Sequence, residues 1–248
     1  MIADVLTVMW KESKGLIRYQ GSLTKTMLSL LIPVVMIGIY LPLQIGRALI
    51  EGPWSLLATV FIPMMLVGMT IPESFAGERE RHTLGTLLAS RLPDRAILFG
   101  KVTLSVIYAW VITLTLHLVS LVMVNVAHWD GQVLFYTPLM TLANVVLSLL
   151  LASLVAYLGV LISLRAATVQ GAQQTLMAAT LFPVVLLQMI PLLLLNVVPD
   201  GRAHLRELVA AANPTQILLV AMAVLTVLDL GLFVAVVVRF KRTRLIVH

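Results

Sequence analysis

The chain has 248 residues, of which 60% are hydrophobic and 11% charged, and it carries a formal net charge of +6 and no cysteine. A soluble globular domain has roughly 25% charged residues, so this composition excludes one. The absence of cysteine excludes disulfides, thiolate metal sites and cysteine nucleophiles. The positive charge is spread over segments that flank apolar runs, where it suits anionic lipid headgroups, so we expect no nucleic acid as a partner.

Long apolar runs dominate the chain. A hydrocarbon core about 30 Å thick needs roughly 20 helical residues to cross it, and continuous runs of that length favour helices over the alternating strands of a barrel. The sequence therefore predicts an all-α polytopic membrane protein that forms one transmembrane domain, 1–248. Its six transmembrane helices are predicted at about 26–46, 53–72, 102–126, 135–164, 175–198 and 216–238.

The N-terminal segment, 1–25, precedes the first predicted span. Within it, residues 1–19 place apolar side chains at three- and four-residue spacing, which gathers them on one face of a helix. Trp10 lies on that face, and amphipathic helices of this kind lie in the membrane interface. We predict an interfacial helix here; the alternative is a plain cytoplasmic lead-in to the first span.

Lys and Arg residues set the orientation. One side of the membrane receives 14 of the 17, and the other receives Arg47, Arg202 and Arg206. Positively charged connections face the cytoplasm, so both termini and the 73–101 connection are predicted to be cytoplasmic, as an even number of spans requires. We expect a multi-pass protein of a bacterial or archaeal plasma membrane.

The 73–101 connection is the longest charged interruption, with nine of the chain's 28 charged residues. It is predicted to hold a helix over 78–92 that begins with Glu78 and Glu80 at the positive end of the helix dipole. Glu78 is expected to pair with Arg81 or His82, and Pro93 to end the helix. The apolar stripe of this helix suits docking in a groove of another protein; alternatively its leucines pack against the chain's own membrane helices.

The run Glu-Arg-Glu-Arg-His-Thr-Leu-Gly-Thr-Leu-Leu, followed by Ile-Leu-Phe-Gly-Lys at 97–101, resembles a connection in ABC-2 type transporter permeases. Their loop between spans two and three is similar to E-R-E-x-G/H-T-L-E-x-L-L, with I-L-x-G-K opening the third span. The Lys11-Glu12 pair before span one and the six-span layout also resemble that family. The resemblance covers the whole chain in layout and is specific over about residues 75–101.

In that family the loop carries a coupling helix seated on a separate ATPase subunit. The resemblance implies that the ATPase contact includes Glu78, Arg79, Glu80, Thr83, Leu84, Leu87 and Leu88. Gly85 stands where the pattern usually has Glu, which removes any specific ion pair at that position. No P-loop is encoded: Gly100-Lys101 is followed by Val102, and Arg95 occupies the place of the first glycine. The chain itself is expected to hold no cofactor, because ATP and Mg²⁺ would belong to the ATPase.

Four polar residues fall inside predicted spans. Asp229 lies in the sixth span, where an acid is by default a candidate functional residue; the alternative is a structural acid satisfied by a neighbouring helix or protonated. His117, Asn144 and Gln188 are more typical of hydrogen bonds between helices. Glu80 and His82, two residues apart, point to different sides of a helix, so no metal site is expected there.

We expect a permease subunit of an ABC transporter, an exporter and not itself an enzyme, paired with a second copy or a homologous permease. Two alternatives from other classes are a membrane-embedded enzyme of lipid metabolism that uses Asp229 or the acids of 73–101, and a membrane anchor that recruits cytoplasmic proteins without transport.

Overall fold

The protein is described by a computed structural model over residues 1–17, 31–83, 91–197 and 213–240. All regular structure in these ranges is helical. The helices are α1 (Ile2–Ile17), α2 (Leu31–Ile45), α3 (Ala48–Glu51), α4 (Ser55–Glu80), α5 (Asp94–Ala127), α6 (Pro138–Ser163), α7 (Val169–Val197) and α8 (Pro214–Arg239).

Four of the described helices are long and apolar enough to cross a membrane: α4, α5, α6, and α8 from Thr215 to Arg239. The predicted helical class is confirmed, and by length and composition these four helices indicate a membrane-embedded protein. The fifth predicted span coincides with α7, which runs over 29 residues. The first falls partly outside the described residues, and its described part, α2, has a π-helical stretch over Val34–Tyr40.

The prediction that a helix begins at Glu78 is wrong. Glu78, Arg79 and Glu80 form the last turn of α4, which continues eight residues beyond the predicted end of span two at residue 72. A Schellman motif ends the helix: the amide of Thr83 donates to the Glu78 carbonyl at 2.9 Å and that of His82 to the Arg79 carbonyl at 3.0 Å. Because His82 takes the left-handed conformation (φ 56°), where glycine is usual, the sequence gives little sign of this stop.

The core lies where α4 crosses α6 and α7, and two glycines permit the close approach. A Cβ on Gly68 would lie 2.4 Å from the terminal methyl of Met177 on α7. A Cβ on Gly159 would lie 2.8 Å from Ile71 of α4. Small residues at helix contacts are how membrane helices pack closely. Helix α8 packs mainly on α6, and most of its surface is exposed.

Candidate functional site

Four charged side chains from three separate segments meet at one end of the bundle: Lys11 and Glu12 of α1, Glu78 of α4 and Lys101 of α5. We call this group the basal ion cluster. The Lys101 ammonium lies 3.0 Å from one carboxylate oxygen of Glu12 and 3.0 Å from one of Glu78, and it donates to the Ser74 carbonyl at 2.7 Å. The Lys11 ammonium lies 3.0 Å from the same Glu78 oxygen and 3.4 Å from Glu12.

The two lysines of the cluster differ sharply in burial. Lys101 is 1% exposed and is the largest fully buried side chain in the described residues, whereas the Lys11 side chain is 54% exposed. A buried ammonium is costly unless it is paired and hydrogen-bonded, and Lys101 has two carboxylates and a carbonyl around it. The ring of Phe75, 5.4 Å away, adds a cation–π contact. Lys101 is therefore the centre of the cluster and Lys11 its solvent-facing edge.

Packing beside the cluster fixes the position of α1. Gly100 has no side chain at the point where α1 crosses α5; a Cβ there would lie 2.6 Å from the Cβ of Val8. Val8 is 2% exposed. The predicted apolar face of α1 is therefore only partly buried: Val8 packs against α5, while Ile2, Leu6 and Trp10 remain exposed.

Neighbouring charges shift the acidities of the α1 pair. Burial disfavours the charged form of Glu12, but the charge and hydrogen bond of Lys101, with Lys11 and the Ser74 hydroxyl, outweigh it and hold the pKa of Glu12 below its ordinary value. Partial burial likewise disfavours charged Lys11, but the bonds to Glu78 and Glu12 outweigh it and raise the pKa of Lys11. Glu12 and Lys11 are therefore both charged at neutral pH, and by residue type the cluster sets two lysines against two glutamates.

Arg79 and Glu80 fasten the connection between α6 and α7. Arg79 donates to the carbonyls of Leu164 and Ala166 at 2.8 and 3.0 Å, which satisfies acceptors left open at the end of α6. A Glu80 carboxylate oxygen accepts the Val169 amide at 3.0 Å, at the positive end of α7. The last turn of α4 thus holds α1 and α5 through Glu78, and α6 and α7 through Arg79 and Glu80.

The three described residues that follow this turn are exposed. Arg81 pairs with Glu73, so the predicted pairing of Arg81 or His82 with Glu78 is wrong: Glu78 faces the two lysines instead. Arg81, His82 and Thr83 are all exposed. Leu84, Leu87 and Leu88, which were predicted to contact an ATPase, lie outside the described residues.

Two of the predicted intramembrane polar residues meet in a buried network. The Thr59 hydroxyl lies 3.0 Å from His117 Nε2 and 2.8 Å from the Asn144 side-chain oxygen, and the Ser55 hydroxyl lies 3.2 Å from the Asn144 amide nitrogen. His117 Nδ1 faces the Thr113 carbonyl at 2.8 Å. The network joins α4, α5 and α6, as predicted for polar residues that hold helices together.

Asp229 lies elsewhere, between α8 and α6. One carboxylate oxygen, Oδ2, accepts a hydrogen bond from the Ser153 hydroxyl at 2.7 Å. The other, Oδ1, is buried and has no hydrogen-bond partner among the described residues. Gln188 lies on α7, and its side chain is outside what the structure describes. The four predicted polar residues therefore do not form one site.

Glu78 was predicted from the sequence to be a functional residue, but its grouping with Lys11, Glu12 and Lys101 in one site was not. Lys101 was visible only as the end of the Ile-Leu-Phe-Gly-Lys run, and Lys11-Glu12 only as an early charged pair. One sequence signal could have found the site: the three segments that carry these charged residues all reach the same membrane boundary. Nothing in residue spacing fixes which of the many charges at that boundary meet.

Comparison with family models, curated proteins and solved structures finds no match to this chain. Within the described ranges, no three His, Asp or Glu side chains come close enough together to hold a metal ion. The candidate site is therefore defined by its own geometry: a balanced, largely buried ion cluster that joins an amphipathic N-terminal helix to two long apolar helices.

Proposed function

We propose that this chain is the membrane-spanning subunit of an ATP-binding cassette transporter of the ABC-2 type, with six spans, that exports its substrate and is driven by a separate ATPase subunit. The observation that carries the proposal is the basal ion cluster. The residues of the family-like patterns, Lys11-Glu12, Glu78 and Lys101, come from distant parts of the sequence and converge on one joint.

Such a joint suits mechanical coupling. A partner that pushes on the exposed end of α4 acts on a turn bonded to α1, α5 and the α6–α7 connection at once. Buried, hydrogen-bonded contacts of this kind have few alternative arrangements, so a displacement at the turn is carried to several membrane helices together. A transporter of this kind requires such mechanical transmission, because ATP is hydrolysed outside the membrane whereas the translocation path lies inside it.

The partner surface is the segment that begins at Arg81. Arg81, His82 and Thr83 are exposed next to the joint, and Arg91 and Arg95 are exposed where the chain returns to α5. We assign the ATPase contact to this basic surface and the intervening leucines, with Glu80 at its edge. Glu78 and Arg79 support the contact from beneath, since their side chains bind within the chain.

The proposed assignment also specifies the topology, the location of the nucleotide, the role of α1 and the need for a second permease. The chain faces the cytoplasm with both termini, and ATP and Mg²⁺ are held by the ATPase subunits. The exposed face of α1 with Ile2, Leu6 and Trp10 lies on the lipid surface. A second copy, or a homologous permease, completes the translocation path.

Charge reversal tests the partner surface. The double variant Arg81→Glu, Arg91→Glu is expected to lose most of the ATPase that co-purifies with the tagged chain from its native membranes, because both side chains are exposed and leave the joint intact. The control is Arg47→Glu, which reverses an exposed arginine at the other end of the bundle, where it pairs with Asp130. Equal recovery of the ATPase with the unmodified chain, the double variant and the control would refute the assigned surface.

A further inference from the structure

Asp229 is the buried acid that the basal ion cluster does not use. It is 7% exposed and lies in the interior of α8, ten residues before Arg239, which corresponds to about 15 Å along the helix. Ser153 satisfies one carboxylate oxygen, and the other has no hydrogen-bond partner among the described residues. A carboxylate oxygen without a partner in an apolar environment is costly. Glu78 Oε2 is also without a hydrogen-bond partner there, but Glu78 is paired with two lysines, whereas Asp229 has no ion pair among the described residues.

Aromatic rings lie beside this acid. Phe233 is one turn after Asp229 on α8, and Tyr157 is one turn after Ser153 on α6, so each ring lies on the same helix face as the polar group before it. The rings of Tyr157 and Phe233 are 5.8 Å apart edge to face, and those of Phe233 and Phe99 are stacked at 6.0 Å.

We propose that Asp229, Ser153 and the rings of Tyr157, Phe233 and Phe99 form a binding site for an organic ammonium ion with an apolar, aromatic body. The free carboxylate oxygen accepts an N–H of the ammonium, and its charge offsets that of the ligand. The aromatic faces contribute cation–π attraction and pack against the apolar body. This combination fits a lipophilic amine better than an inorganic cation, which would require more oxygen ligands than two side chains supply.

The position of the site gives the ligand a route. Helix α8 packs mainly on α6, and Phe233 is 36% exposed on its outer surface. A lipophilic amine dissolved in the bilayer therefore reaches Asp229 by displacing the Phe233 side chain, without crossing the bundle. The proposal that an amine binds here depends on this geometry alone. The further proposal that the bound amine is a transported substrate rests on the proposed function.

Binding is measured on the isolated chain in lipid nanodiscs, so the result does not depend on any ATPase. The probe is 1-naphthylmethylamine, which is protonated at neutral pH, and the matched neutral compound is 1-naphthylmethanol. Equilibrium dialysis against nanodiscs without protein subtracts partition into lipid. We expect saturable binding of the amine and no saturable binding of the alcohol.

Variants locate the site. Asp229→Asn keeps an acceptor for Ser153 but removes the charge, and it is expected to weaken amine binding by about tenfold or more. Phe233→Leu is expected to weaken it less. Thr226→Val, on an exposed part of the same helix, is the control and should bind as the unmodified chain does, with size-exclusion profiles confirming that each variant is folded.

Three results would overturn the inference: no saturable amine binding by the unmodified chain, equal binding by Asp229→Asn, or equal binding of the alcohol. The last would indicate an apolar groove that does not recognise charge. Amine binding that requires Asp229 in a chain that recruits no ATPase would support the site and refute the transporter assignment.

Discussion

The basal ion cluster and the Asp229 site handle buried charge in opposite ways. At the cluster, Lys101 is surrounded by two carboxylates and a carbonyl, and the four charges balance. At the second site, Asp229 has one serine hydroxyl and an oxygen without a hydrogen-bond partner in the described residues. Glu78 also has one carboxylate oxygen, Oε2, without a hydrogen-bond partner in the described residues, so the two regions differ in counter-charge: Glu78 is paired with two lysines, whereas Asp229 has no ion pair among the described residues. An acid without a counter-charge lowers stability, and a cationic ligand can supply the missing charge.

Removal of the buried lysine is expected to have the largest effect on stability. Lys101→Met leaves Glu12 and Glu78 without their shared ammonium, and we expect a loss of about 3–5 kcal/mol in the free energy of unfolding, as when one partner of a buried ion pair is removed. Lys11→Met removes a half-exposed lysine that contacts the same carboxylates and should cost below about 1 kcal/mol. Unfolding in detergent, followed by helix signal against denaturant, measures both.

Equal losses from the two lysine variants would contradict the assignment of Lys101 as the centre of the cluster. A third protein, with Lys101→Met combined with Glu12→Gln and Glu78→Gln, separates charge from packing. It should recover part of the loss, because it leaves no carboxylate of the cluster without its cation. Failure to recover any of it would mean that the loss does not arise from carboxylates left without their cation.

The contact between α1 and α5 is the next largest effect. Gly100→Val places side-chain atoms where Val8 already lies, and we expect a cost of about 1–3 kcal/mol, as for overpacked interiors. Because the chain has no cysteine, Val8→Cys provides a single reporter. Maleimide labelling should be slow in the Val8→Cys background and faster when Gly100→Val is added. Unchanged labelling would show that α1 tolerates the new side chain without moving.

At the Asp229 site, removal of the buried charge is expected to change the free energy of unfolding in the opposite direction. Asp229→Asn should leave stability unchanged or raise it by about 1 kcal/mol, because a neutral amide keeps the bond to Ser153 and is cheaper to bury than a carboxylate. Ser153→Ala should lower stability, since it removes the donor that Asp229 has. The same unfolding measurement compares both with Thr226→Val. A loss for Asp229→Asn as large as that for Lys101→Met would end the contrast between the two regions.

The smallest effect is that of pH on the cluster. The pKa of Glu12 is lower in the folded protein than its ordinary value of 4.5, so its contribution to stability is present above that value and is lost as the pH falls through the folded pKa. We expect the unmodified chain to lose more stability than Glu12→Gln between neutral pH and the acid range below 4.5. Parallel pH profiles for the two proteins would refute the role of Glu12.

Helical class and membrane character could be predicted because long apolar runs report directly on burial in lipid. The positions of α5, α6 and α8 followed from the same signal. The end of α4 could not be predicted, because the left-handed residue that stops it is His82 and the charges of its last turn resemble a helix start. The pairing of Lys101 with Glu12 and Glu78 depends on where α1 crosses α5, a tertiary contact that no local pattern encodes.

An affinity pull-down of the tagged chain from its native membranes tests whether a separate ATPase drives it, as we propose. The co-purifying proteins are identified and counted by mass spectrometry. We predict a P-loop ATPase in equal number with this chain. A pull-down that keeps other membrane complexes intact but contains no ATPase would contradict the claim and return attention to Asp229 as the functional centre.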